Sequence, residues 1–241
     1  MAFGDFVLQR DLDFVIPRGS IFVIMGGSGC GKSTLLRHIL GLLTAAKGNI
    51  LLDGEDLTTI DPARRQTLMR RFGVLYQSGA LWSSMTLAEN VSLPLEEYTD
   101  LGAKEIREIA ALKLAMVGLR GFEDYYPSEV SGGMQKRAGL ARAIALDPEI
   151  LCIDEPSAGL DPISSKRLDE LILELRESLD TTVVMVTHEL PSIYSIGTDS
   201  IFLDAETRTM IASGPPTWLR DNCDNPTVRQ FMTRGEDPDG S

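Results

Sequence analysis

The chain has 241 residues, 43 % hydrophobic and 24 % charged. That length suits one domain of ordinary size, or one with a smaller lobe inserted, and buries a core without disulfide or metal staples; the composition excludes disorder over most of the chain. Lys plus Arg number 23 against 35 Asp plus Glu, a net charge of −12, which disfavours nucleic acid as a partner because such binders carry a basic footprint.

The dense basic pairs Arg64–Arg65, Arg70–Arg71 and Lys136–Arg137 read as solvated helix faces. Cys30, Cys152 and Cys223 are odd in number and widely spaced, and with two histidines they make neither a disulfide framework nor a common zinc pattern. They suit a reducing, cytosolic setting. No apolar run approaches the roughly 18 residues needed to span a bilayer, and Met1 to Asp5 carries no basic or apolar region of a secretory signal.

In chain order, Val7-Leu8 and Asp13 to Ile16 read as short strands, with a turn at Pro17-Arg18-Gly19. Ile21 to Met25 is an apolar strand that runs into a glycine-rich loop. Leu35, Leu36, Ile39 and Leu40 then fall at helical spacing, with Gly41 as the stop. Asn49 to Asp53 is a strand closed by Asp53-Gly54. Residues from about Leu87 to Ala145 are mostly helical, with one stripe through Ile106, Ile109, Ala110, Leu114 and Val117, stopped at Gly118. Ile150 to Ile153 is an apolar strand, and Asp161-Pro162 starts a helix with Leu168, Leu171, Ile172, Leu175 and Leu179 on one face. Thr182 to Thr187 is a β-branched strand, and Ile201 to Leu203 with Thr209 to Ala212 make a hairpin. Apolar strands alternating with helices predict an α/β fold with a mainly parallel sheet covered on both faces.

The strongest chemical signal is Gly26-Gly27-Ser28-Gly29-Cys30-Gly31-Lys32-Ser33-Thr34, which fits G-x-x-x-x-G-K-[ST] between a strand and a helix. Its glycines let backbone N–H groups turn toward a phosphate, and the following helix adds its positive end. Lys32 reaches the β- and γ-phosphates of a nucleotide, and the Ser33 hydroxyl ligates Mg²⁺. Cys30, inside this loop, is a candidate for thiol sensitivity. The second signal is the strand Ile150 to Ile153 ending in Asp154 and Glu155. There Asp154 holds Mg²⁺, and Glu155 orients the attacking water beside the γ-phosphate. The third is Val130-Ser131-Gly132-Gly133-Met134 ahead of a helix, a second anion site at a helix N-terminus.

With this third motif the sequence resembles the ATP-binding-cassette family, whose signature is close to L-S-G-G-Q; Val130 and Met134 stand here for the usual Leu and Gln. Lys32, Gln77, Ser131, Asp154, Asp161 and His188 occur in the family's order at family-like separations. The resemblance implies a P-loop NTPase fold with an N-terminal antiparallel β subdomain and an inserted helical subdomain. It places one nucleotide-binding domain over 1–234, the helical insertion over about 84–145 and an acidic flexible tail over 235–241. It implies ATP and Mg²⁺ as cofactors. Phe3 would stack on adenine, and Gln77 would couple Mg²⁺ and the lytic water to the helical lobe. Asp161 would contribute from the D-loop, and His188 would act as the switch histidine. Only Met1-Ala2 precede Phe3 where the family has a strand, and a start upstream of Met1 would account for that.

Each family cassette completes its partner's site with its signature loop, so a homodimer with two composite sites is expected, driving a separate membrane permease. Four stretches resemble the Mla/Mce phospholipid-transport ATPases: Gln77 to Leu81, Tyr126 to Met134, Asp161-Pro162-Ile163, and Asn225 to Phe231. That resemblance implies an Mce-domain lipid-binding subunit, in some members a small STAS-domain protein, and a place on the cytoplasmic face of the inner membrane. An importer ATPase for amino acids or other polar solutes would share every catalytic residue. A soluble, non-transport cassette ATPase and a non-hydrolysing switch are the readings from other classes.

Overall fold

The computed structural model describes residues 1–4, 6–77 and 79–234. β1 (Ala2–Phe3) and β2 (Phe6–Val7) form a short antiparallel pair. Asp13 to Ile16, expected as a strand, joins no ladder among the described residues. Its apolar side is used through side chains instead, with the Phe14 ring stacked on Phe22 at 5.6 Å. β3 (Ile21–Gly26) is buried at every residue, as an uninterrupted apolar run requires when both faces of a strand are covered. α1 (Lys32–Ile39) follows the glycine loop. Gly41, at φ 64°, ends it, with its N–H on the His38 carbonyl and the Leu42 N–H on that of Arg37.

β4 (Leu51–Leu52) and β5 (Glu55–Asp56) make a hairpin around Asp53 and Gly54, both at positive φ, as a two-residue type I′ turn demands. α2 (Pro62–Met69) and β6 (Phe72–Leu75) come next. α3 (Leu87–Tyr98) opens with a capping box in which the Thr86 hydroxyl accepts from the Glu89 N–H and the Glu89 carboxylate accepts from the Thr86 N–H. α4 (Ala103–Met116) buries Ile106, Ala110 and Leu114, and Gly118 at φ 71° lies just past its end. α5 (Gly132–Ala143) is capped by Ser131. β7 (Ile150–Asp154) leads to α6 (Pro162–Leu179), which buries Leu168, Leu171, Ile172 and Leu175 and leaves Leu179 half-buried. β8 (Thr182–Val186), α7 (Leu190–Ile196), β9 (Asp199–Leu203), β10 (Met210–Ser213), α8 (Pro216–Asn222) and α9 (Pro226–Met232) complete the order. The acidic tail expected over 235–241 lies outside the described residues.

The chain divides into two compact units, residues 1–69 with those from 184 on, and residues 70–183; the division falls inside β8. In the first unit β3 runs parallel to β9, from Phe22 opposite Asp199 to Gly26 opposite Leu203. β9 also carries β10 as the expected antiparallel hairpin. Phe202 meets Phe231 of α9 edge-on at 5.0 Å. In the second unit β6 runs parallel to β7, Phe72 opposite Ile150 and Leu75 opposite Ile153. There α5 crosses so close to β6 that a Cβ built at Gly73 would sit 2.1 Å from the Ala143 carbonyl oxygen. Lys113, on α4, is buried and ion-paired to Asp147. No helix among the described residues is long and apolar enough to cross a membrane.

Candidate functional site

The first unit holds the glycine-rich loop and His188. β3 ends at Gly26, whose φ of 144° and missing Cβ are both required, since a Cβ there would lie 2.3 Å from the Leu203 carbonyl oxygen. The loop turns through Gly29 and Gly31 at φ 77° and 98° and delivers Lys32 as the first residue of α1. The N-cap of α1 is Gly31, no side chain caps it, and no acid stands in its first turn. The first N–H groups of a helix have no intrahelical acceptor, so this end presents donors and positive dipole to an anion, which fits a nucleotide phosphate. Lys32 folds over the loop, its ammonium donating to the carbonyls of Gly26 at 2.9 Å and Gly27 at 3.0 Å. Ser28 is exposed at the rim, and Ser33 and Thr34 are half-buried on the first turn.

Cys30 is buried in this loop. Burial pushes its thiol above the ordinary range, against the lowering effect of Lys32, which works against the thiol sensitivity expected of this loop. Gln9 is fully buried, and its amide donates to the carbonyls of Cys30 and Asp204, each at 2.8 Å. It staples the loop to the strand end at Asp204. The backbone of Phe3 lies in β1, while its side chain is outside the described residues. His188 is exposed just beyond β8, with Nε2 3.6 Å from the Glu189 carboxylate.

The second unit holds Gln77, Ser131 to Gly133, Asp154, Glu155 and Asp161. Asp154 ends β7, and Glu155 turns out of the strand in the left-handed region at φ 49°. A tight turn follows, in which the Ala158 N–H meets the Glu155 carbonyl and the Leu160 N–H meets that of Ser157. Gln77 is exposed past β6, ahead of Gly79 and Ala80 at φ 74° and 50°. Ser131 accepts from the Met134 N–H as the cap of α5, which leaves its hydroxyl proton to donate outward. Ser131 and Gly133 line a cleft of about 370 Å³ together with Leu160, Ser164 and the end of α4. Asp161 caps α6, accepting from the N–H groups of Ile163 and Ser164 and from the Ser164 hydroxyl. Those bonds hold its carboxyl below the usual range.

Three cations on α5 were read in the sequence either wrongly or not at all. Lys136, expected on a solvated face, is buried, and its ammonium donates to the carbonyls of Pro156 and Ala158. Burial lowers its pKa, and the nearby Glu155 charge opposes that. Arg137, expected on the same face, is half-buried, with its guanidinium on the carbonyls of Val117 and Gly118. Arg142 donates to the carbonyls of Gly79 at 2.9 Å and Ala80 at 2.8 Å. Helical spacing could have flagged two of them: Lys136 and Gly139 lie three apart, and Gly139 and Arg142 three apart, on one face of α5. Nothing in the local sequence singles out Gln9, whose partners are 21 and 195 residues away.

Residues 9–158 match the family described as ABC transporter. The intermembrane phospholipid transport system ATP-binding protein MlaF of Escherichia coli is 44 % identical over 95 % of this chain and 84 % of its own length. MlaF of Haemophilus influenzae is 42 % identical over 97 % of this chain and 87 % of its own. The probable ribonucleotide transport ATP-binding protein mkl of Mycobacterium tuberculosis is 41 % identical over 96 % of this chain, which spans 64 % of that longer protein. Among solved structures, the dimeric bacterial ABC transporter cassette MJ0796 superposes with a TM-score of 0.77 at 30 % identity, covering 86 % of this chain and 89 % of its own. The cbiO1 protein of Clostridium perfringens, part of the ABC transporter complex cbiONQ, superposes with a TM-score of 0.81 at 26 % identity, covering 89 % of this chain and 84 % of its own.

Proposed function

Because this chain belongs to the ABC transporter family, we propose that it is the ATP-hydrolysing subunit of a membrane transporter, and that the cargo is phospholipid. The observation that carries the nucleotide reading is the loop from Gly26, which delivers Lys32 to a helix end capped by glycine alone. The 44 % identity to MlaF over nearly the whole chain supports the cargo. Residues 1–234 act as one nucleotide-binding domain with a helical lobe inserted at about 84–145.

The reaction converts ATP and water to ADP and phosphate. The N–H groups of Gly27 to Thr34 cradle the β- and γ-phosphates, and Lys32 answers their charge. Phe3 stacks on adenine. Ser33, Gln77 and Asp154 are hard oxygen donors of the type Mg²⁺ takes and would hold it; the ion would supply neutralisation of phosphate charge. Glu155 orients the attacking water and takes its proton, while His188 donates toward the γ-phosphate. Ser131, Gly132 and Gly133 of a second copy close over the γ-phosphate with their helix N-terminus, and Asp161 seats the turn beside them.

ATP thus closes a homodimer and loss of phosphate reopens it. The identity to MlaF supports a separate permease for the passage, with an Mce-domain subunit and a small STAS-domain protein as further partners. The site of action is the cytoplasmic face of the inner membrane. The mkl relatives favour one second reading, a ribonucleotide cargo. Glu155→Gln is expected to bind ATP and accumulate as a closed dimer with turnover down by about 100-fold or more; wild-type turnover would remove the hydrolytic role. Purification of the tagged chain from detergent-solubilised membranes should recover a permease with phospholipid, and a permease without lipid would remove the cargo.

A further inference from the structure

We propose that Lys136 is a positioning residue for Glu155, through which the helix carrying the signature loop sets the hydrolytic carboxylate. The inference rests on the hydrolytic role of Glu155 given above and adds a residue that none of the motifs contains. Three observations meet at this point. Glu155 leaves β7 in the left-handed region, a conformation a non-glycine residue keeps only where its surroundings over-determine it. The turn that follows offers the Pro156 and Ala158 carbonyls, and both are held by one buried ammonium, with the Pro156 oxygen at 2.5 Å. That ammonium also lies within electrostatic reach of the Glu155 carboxylate, which works against the effect of burial on Lys136.

An ammonium has three N–H donors. Two are committed to the carbonyls, so Lys136 fixes where the Glu155 turn sits. Lys136 lies five residues after Ser131, on the helix that Ser131 caps. The same device recurs six residues further on. Arg142 grips the Gly79 and Ala80 carbonyls, just past Gln77, where the chain is again in the left-handed region. One rigid helix therefore carries the signature loop at its N-terminus and clamps the turns behind Glu155 and Gln77 along its length. Any displacement of α5 when a second copy's nucleotide engages Ser131 moves the Glu155 turn with it.

The test compares Lys136→Met, Lys136→Gln and Lys136→Arg in the full chain. ATP turnover is followed against MgATP concentration, with thermal unfolding measured in parallel. The Met variant keeps chain length and loses both charge and donors. It is expected to lower kcat by about 10- to 100-fold with KM within about threefold of wild type. Lys136→Arg, which restores charge and donors, should recover most of kcat.

Wild-type kcat in Lys136→Met would overturn the proposal. So would a parallel change in Tm, KM and kcat in all three variants, the pattern of a purely structural lysine. Should Lys136→Met fail to fold, Lys136→Gln, which keeps an N–H donor without the charge, decides by the same fall in kcat at an unchanged KM. Normal turnover by Glu155→Gln would instead remove the hydrolytic reading itself. An inactive Glu155→Gln beside a normal Lys136→Met removes only the role of Lys136.

Discussion

Gly139→Ala sets a helix preference against a close approach, and the structure decides which wins. Alanine in place of glycine inside a helix is worth about 0.8–1 kcal/mol, so an open site would give a more stable protein. Gly139 is not in an open site. A Cβ there would lie 3.0 Å from the Gly79 Cα, 3.0 Å from the Gly79 oxygen and 3.0 Å from the Leu75 Cδ1. Two of the three are backbone atoms, and the Gly79 oxygen is held by Arg142 at 2.9 Å, so retreat stretches a charge-assisted bond. Overpacking of this kind costs about 1–3 kcal/mol. The balance is a destabilisation of about 0–2 kcal/mol, a fall in Tm of up to about 8 °C for a chain of this size. The functional effect should exceed the stability effect, because the atoms pushed lie two residues past Gln77. We expect turnover to fall several-fold while ATP affinity, set by the loop from Gly26, stays within about twofold. Calorimetry together with steady-state turnover and nucleotide titration checks both. A variant with raised Tm and wild-type turnover would refute the reasoning, since it would mean that the segment past Gln77 retreats from α5 freely.

Gln9→Leu should lower Tm by about 4–8 °C, as two bonds to buried carbonyls are worth about 2 kcal/mol, and it should weaken ATP binding; an unchanged Tm would show the staple is idle. Maleimide should label Cys223 in the native protein and spare Cys30 and Cys152, since burial raises the Cys30 thiol and pushes Cys152 to about 12. Loss of ATP turnover on alkylation, mapped to Cys30, would contradict this. His38 is buried, and its Nδ1 meets the Leu43 carbonyl at 3.1 Å. A carbonyl only accepts, so Nδ1 carries the proton and Nε2 is the buried acceptor that protonation would turn into a second donor. Burial therefore lowers its pKa. With the folded value below the unfolded one of about 6.5, stability is full above that pH and is lost as pH falls below it, until the folded ring also protonates. His38→Asn should flatten the Tm-against-pH slope just below pH 6.5, and an unaltered slope would assign it to other groups.

The local chemistry of this protein was legible in the chain because it is carried by short contiguous patterns. The glycines from Gly26 to Gly31, the strand ending in Asp154-Glu155, the caps Ser131 and Asp161 and the stops Gly41 and Gly118 each follow from backbone sterics within a few residues. Apolar runs and helical spacing likewise foretold β3, β7, β8, α4 and α6. What the chain could not disclose depends on which distant atoms end up adjacent. Asp13 to Ile16 has a strand's pattern, yet among the described residues it joins no ladder, and its Phe14 ring stacks on Phe22 instead. The pair Lys136–Arg137 has a solvent face's composition, and it is tertiary packing that surrounds it with carbonyls from the Pro156 to Ala158 turn and the end of α4. A lysine placed there keeps its charge only because those oxygens replace water, and no window of sequence contains both partners. Residue identity set what each loop can bind; the crossing of α5 over β6 decided which loops one helix holds.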